Sequence, residues 1–280
     1  MNRIIILFFL FVLPFMRAFC VVDPNFHIYI CIGQSNMEGN APIEVIDSQG
    51  VDSRFKAMYA IDDKRLGWKK GHWHIAYPPQ ARPTTGLSVV DYFGRFMVEN
   101  LPQSVTIGTI TVAVGGASID LFDHKTYKSY LKHQPKWMKN FAHSYNGNPY
   151  KRIISLAKKA QKEGVIKGIL LHQGETNNGD PNWSNRVCTV YYNILKDLNL
   201  KAEDVPLLVG ETVQKNQGGI CWSHNAIIDS ISKTIPTAHV VSSKDCPQRG
   251  DGLHFTALGY RIIGKRYAKV MLKLLGKTIQ

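Results

Sequence analysis

Five predominantly apolar segments punctuate the chain, at Ile28–Ile32, Val105–Val114, Val165–Leu171, Pro206–Val209 and Ala238–Ser242. The first two are rich in β-branched residues, and the first four stop at a glycine or a polar cluster, so the set reads as buried strands. Between them lie segments whose apolar positions recur at helical spacing: Leu87–Glu99, Lys151–Glu163 (closed by Gly164), Ser184–Leu198, Trp222–Thr234 and Thr256–Leu275. The alternation predicts an α/β protein, a three-layer α/β/α sandwich around a mostly parallel five-stranded sheet. Crossovers between parallel strands are right-handed, so the strand ends of one polarity share one edge, where open α/β sheets place their ligands. Four polar strand ends would meet there: Gly33-Gln34-Ser35, Gly115-Gly116, Gln173-Gly174-Glu175 and Glu211.

The 280 residues suffice for one sizeable core, and the even composition points to a single domain over 20–280. Residues 1–19 stand apart: Arg3 precedes an apolar run from Ile4 to Phe15, which leads to Arg17-Ala18. This is the pattern of a signal peptide, with cleavage after Ala18 or Cys20, since the run is shorter than the roughly 20 residues a spanning helix needs. A secreted or periplasmic protein is expected, without stable membrane insertion after signal removal; a lipid on Cys20 is the alternative, against which Arg17-Ala18-Phe19 is a poor lipobox. The formal charge is +13, and +11 once Arg3 and Arg17 are removed. The basic residues are scattered in pairs such as Lys69-Lys70 and Lys158-Lys159 with no nucleic-acid motif, so a solvated basic face is expected rather than nucleic-acid binding. No CxxC pair is present, which argues against structural zinc; Cys31 reads as a core residue, and Cys221 with Cys246 is the expected disulfide if one forms.

Ala41–Pro83 is long and irregular, with Trp68, His72, Trp73, His74 and Tyr77, a set of aromatics that would either floor a sugar site or cap the core. A serine at a strand end is a candidate nucleophile only if a base, an orienting acid and oxyanion donors reach it. Asp251-Gly-Leu-His254, directly before the last helix with Thr256 as its N-cap, offers an acid and a base three residues apart on one turn.

Taken together, GQSNMEG at 33–39, GG at 115–116, HQGET at 172–176 and DGLH at 251–254 resemble the blocks of the SGNH hydrolase superfamily. The nearest resemblance is to its sialate O-acetylesterase-like branch, which includes the acetylxylan esterases of carbohydrate esterase family six, and it runs from about Phe26 to the last helix. GQS in place of the superfamily's GDS fits that branch and not the lipase-like members. The resemblance implies a flavodoxin-like fold, no metal or other cofactor, and a serine carbohydrate esterase that removes O-acetyl groups through an acetyl-enzyme. It implies Ser35 as nucleophile, His254 as base, and Asp251 or Glu175 as the orienting carboxylate. The oxyanion donors would be the amides of Ser35 and of Gly116 or Gly115, with the side chain of Gln173. Gln34, Asn36, Trp73 and Glu211 are candidate substrate contacts. Acetylated xylan is the expected substrate, with O-acetylated sialic acid as the alternative. Two further readings stand beside it: a carbohydrate-binding protein without turnover, and an esterase acting on lipid acyl chains. Oligomeric state is not legible.

Overall fold

The computed structural model describes residues 22–277, so the expected export segment and Cys20 lie outside the described residues. Its centre is strand β1 (Asp23–Gly33), flanked by β4 (Thr106–Ala113) and β5 (Gly164–His172). A strand with parallel neighbours on both sides is covered on both faces, which is why its sequence is a continuous apolar run. The two faces remain distinguishable by alternation: Ile28, Ile30 and Ile32 enter one core, Tyr29 and Cys31 the other.

Among the described residues the sheet has seven strands, in the order β3-β2-β4-β1-β5-β6-β7, with β6 (Leu207–Gly210) and β7 (Ala238–Val241) completing the parallel set on one side. The expected count of five is therefore corrected to seven. The extra pair, β2 (Phe55–Met58) and β3 (Trp73–Ile75), is the edge hairpin within the aromatic stretch, where β3 is the one antiparallel strand. Both are short, half-exposed in part and separated by turns, so neither produces a long apolar run.

Helices α2 (Val89–Glu99) and α8 (Ala257–Leu274) cover one face, while α5 (Pro149–Ala160) and α6 (Trp183–Leu198) cover the other. Ser88 and Asp91 form a reciprocal capping box at the start of α2, and Thr256 accepts from the Gly259 amide at 3.1 Å at the start of α8. The expected helix over Trp222–Thr234 is instead a single α-turn, α7 (Asn225–Asp229), between two short 3₁₀ turns. Ser230 ends it by turning its hydroxyl back onto the Ile227 carbonyl at 2.9 Å. Between β4 and α5 the chain adds two short helices that the apolar pattern does not announce, α3 (Tyr127–Lys132) and α4 (Lys136–His143). One further turn of helix, α1 (Ser35–Glu38), follows β1 directly.

The expected Cys221–Cys246 disulfide is absent: both thiols are buried and free. The Cys221 thiol faces the Glu175 carbonyl at 3.6 Å, whereas Cys246 lies under Arg266 at 3.5 Å, so different neighbours hold them. Cys31 is a fully buried core residue, its thiol pushed up by desolvation.

Gly33 is required by close approach. A Cβ built there would lie 2.1 Å from the His172 carbonyl oxygen, inside the backbone of β5, which has no room to retreat. Gly33→Ala is expected to cost about 3 kcal/mol of stability, read as a lowered urea midpoint with an unchanged slope.

Candidate active site

Register decides which residues meet. Gly33 pairs with Ala113 on one side and with His172 on the other, so three adjacent strands end at the same level. The residues that follow, Gln34-Ser35, Gly115-Gly116 and Gln173-Gly174-Glu175, therefore leave the sheet side by side. Of these, Gln34, Ser35, Gly115, Gly116 and Glu175 border a cavity of about 450 Å³, which His254 enters from the turn before α8.

Ser35 is the first residue of α1 and is 7% exposed. Its Oγ lies 2.8 Å from His254 Nε2, and His254 Nδ1 lies 2.8 Å from Asp251 Oδ2. The other carboxylate oxygen of Asp251 accepts from the amides of Leu253 (2.9 Å) and His254 (2.8 Å). Desolvation opposes charge on Asp251, but the bonds from the His254 amide and ring and from the Leu253 amide outweigh it and hold the carboxyl below its usual range. An ionised carboxylate only accepts, so Nδ1 carries the imidazole proton and Nε2 presents its lone pair to the Ser35 hydroxyl.

Glu175 makes no hydrogen bond to His254. Its Oε1 accepts from Asn36 Nδ2 at 2.6 Å, and burial pushes its carboxyl above the usual range. His172 stands 3.9 Å away, but burial pushes its imidazole down to about 3, so it is neutral and the contact is no ion pair. Asn36 is itself fully buried, which removes it from the substrate contacts. It also donates to the Leu253 carbonyl at 2.9 Å and accepts from the Tyr260 hydroxyl at 2.7 Å. Asn36 thus ties the turn bearing Ser35 to the turn bearing His254.

The oxyanion side differs from expectation at Gln173. Trp183 Nε1 only donates, and at 2.6 Å it fixes Gln173 Oε1, so the amide nitrogen must face the other way. That nitrogen is spent on Asn177 Oδ1 (2.7 Å), Gln34 Oε1 (3.1 Å) and the Ala117 carbonyl (3.3 Å), and Gln173 is fully buried beneath the cavity. Gln34 is what reaches the cavity. Its oxygen also accepts from the Thr176 amide at 3.2 Å, so its own NH₂ has no protein acceptor among the described residues and borders the open space. Of the two glycines, the Gly115 amide faces the buried Glu38 carboxylate, whereas the Gly116 amide has no partner among the described residues. Gly116 holds φ at +70° to turn that amide, a conformation that suits glycine.

Neither of the other expected contacts reaches the cavity. Trp73 sits on the edge strand β3, packed on Phe26 at 4.8 Å between ring centroids. Glu211 is buried and braces the ends of β6 and β7, accepting from the Ser243 amide and from Gln214, both at 2.7 Å. Apart from Glu38, which lies within the GQSNMEG block, the residues that form a further part of the cavity wall carried no motif. They are Trp137 and Phe141 on α4, and a buried ion pair in which Arg82 donates twice to Glu38 Oε1, at 2.9 and 2.7 Å. The Arg82 guanidinium stacks 3.8 Å from the centre of the Phe141 ring, and Trp137 is 48% exposed above Gly116. The repeat of aromatics four apart on α4 is the one signal that could have found this wall.

A nucleophile–base–acid chain with unspent donors beside it is equipped for acyl transfer, and known structures share the framework. A protein from Arabidopsis thaliana superposes with a TM-score of 0.66 at 19% identity, over 90% of this chain and 99% of that one. A carbohydrate acetylesterase from Xanthomonas citri gives 0.62 at 18% identity, over 90% of this chain and 57% of that longer one. NanS gives 0.63 at 14% identity, over 91% and 99%. At these identities the likeness is one of fold. The family model described as carbohydrate esterase, sialic acid-specific acetylesterase matches residues 25–273, and the chain belongs to that family of carboxylic ester hydrolases.

Proposed function

We propose that the chain is a serine carbohydrate O-acetylesterase that acts outside the cytoplasm on an acetylated polysaccharide, with acetylated xylan as its substrate. The observation that carries this reading is the continuous Ser35–His254–Asp251 chain, two contacts of 2.8 Å at the edge of a cavity sized for one sugar ring and its acetyl group. In the reaction, Ser35 Oγ bonds to the acetyl carbonyl carbon as its proton passes to His254 Nε2. The oxyanion is met by the amides of Ser35 and Gly116 and by the Gln34 NH₂. Collapse breaks the ester C–O bond, and His254 returns its proton to the departing sugar hydroxyl. Water then attacks the acetyl-serine by the same steps, releasing acetate.

A neutral sugar is favoured over a sialate by the charge of the wall. Among the described residues Arg82 is the only arginine or lysine lining the cavity, and Glu38 already neutralises it, so none of them offers a free cation to a substrate carboxylate. The exposed Trp137 face offers a pyranose a flat apolar surface.

The test is acetate release from acetylated xylan and from an O-acetylated sialoside in parallel, with Ser35→Ala protein as the blank. Release from xylan alone supports the reading. Release from the sialoside alone overturns its substrate, and full turnover by the Ser35→Ala protein overturns its mechanism. Export is tested by finding the chain outside the cytoplasm without residues 1–19.

Gln34→Glu keeps the acceptor oxygen fixed by Thr176 and replaces the donor with a carboxylate oxygen. It is expected to lower kcat on 4-nitrophenyl acetate by about 10²–10³ with KM little changed.

A further inference from the structure

A second cavity, of about 400 Å³, shares no lining residue with the first. Tyr145 lines it, and the Tyr145 hydroxyl donates at 3.2 Å to the carbonyl of Ala113, two residues before Gly115. The second cavity is formed by one face of α5 (Lys151, Arg152, Ser155, Lys159), the Lys70-Gly71 turn, and Asn146 with Asn148.

Its charge is unbalanced. Arg152 is 7% exposed, and among the described residues its guanidinium makes one hydrogen bond, from Nη1 to the Ala60 carbonyl. No carboxylate lies within ion-pair distance of it among the described residues. A buried guanidinium whose remaining N–H groups meet open space is poised for an anion, and its planar fork suits a carboxylate. Lys151 and Lys159, exposed on the same helix face, add charge. Asp62 attracts the guanidinium from outside ion-pair distance; it is itself mostly exposed and sits 4.0 Å from Lys70 Nζ. The asparagines and Ser155 add neutral partners for sugar hydroxyls. The first cavity, by contrast, has no unpaired arginine or lysine among the described residues.

We propose that the α5 cavity is an anion subsite that takes the carboxylate of a uronic acid on an acidic polysaccharide, holding the chain while a neutral acetylated sugar occupies the site at Ser35. The choice of a glycan over other anions rests on the esterase reading given above. A polymer that spans both cavities gains affinity without any change at the reacting carbonyl.

Binding is measured by calorimetry on the Ser35→Ala protein, full chain, with trigalacturonate and neutral xylotriose as probes. Trigalacturonate is expected to bind about tenfold tighter at low salt, with the gap closing as salt is added. Arg152→Met removes the guanidinium but disturbs a buried position, so the second variant is Lys151→Gln with Lys159→Gln on the surface. That pair is expected to weaken trigalacturonate about fivefold while leaving 4-nitrophenyl acetate turnover in the Ser35 enzyme unchanged. Equal binding of the two probes, wild-type affinity in the lysine variant, or tighter binding of a short oligodeoxynucleotide than of trigalacturonate overturns the subsite. Because the binding assay needs no turnover, loss of the esterase reading and loss of the subsite are separate results.

Discussion

Asp251→Asn is expected to lower kcat on 4-nitrophenyl acetate by about 10⁴, and the reason lies in how the carboxylate is held. One oxygen accepts from the amides of Leu253 and His254, both within 2.9 Å, so an asparagine at this position must put its own oxygen there. Its NH₂ then faces His254 Nδ1, where only an acceptor nitrogen is compatible. The ring is forced into the tautomer with its proton on Nε2, aimed at Ser35 Oγ, and it can no longer accept the nucleophile's proton. Glu175→Gln is the contrasting variant. The glutamine oxygen can keep the 2.6 Å bond from Asn36, and no contact with the imidazole is lost, so kcat is expected to stay within about tenfold of wild type. Steady-state kinetics on both variants distinguish the carboxylates; the reverse order of effects would transfer the orienting role to Glu175.

Ser35→Ala and His254→Ala are each expected to reduce kcat by about 10⁶, with the double variant no worse than either single one. The 2.8 Å contact between the two side chains makes them one device: a serine without its base is not activated, and a base without the serine has nothing to deprotonate. Background turnover supplied by Gln34 and the Gly116 amide should survive in all three proteins. Measured kcat values that multiply instead of saturating would show that the two residues act in separate steps.

The central sheet was legible because burial on both faces leaves a continuous apolar run, as in β1, β4 and β5. The short strands β2 and β3 were not, since three or four residues are too few to show a strand's pattern against the turns around them. Similarly, α4 is short and half polar, and its aromatic pair stood far in sequence from every motif. Motif residues were legible as chemistry but not as direction. Gln34 and Gln173 are both buried amides at adjacent strand ends, and only the donor-only indole of Trp183 reveals which of them has an NH₂ to spare. In the same way Trp73 and Trp137 are equal candidates in composition, and packing alone puts one on Phe26 and the other over Gly116. Asn36 looks like a surface polar residue beside the serine, yet it is the joint between two ends of the chain.

That joint makes the site a product of complete folding. Ser35 and His254 are 219 positions apart, and the bond that registers them passes through Asn36 to the Leu253 carbonyl and to Tyr260 on α8. During synthesis the N-terminal strand and its serine emerge first, but no reactive hydroxyl exists until the last helix docks. On the mechanism proposed above, the chain therefore carries an inert nucleophile through assembly and acquires hydrolytic power only once that helix is in place.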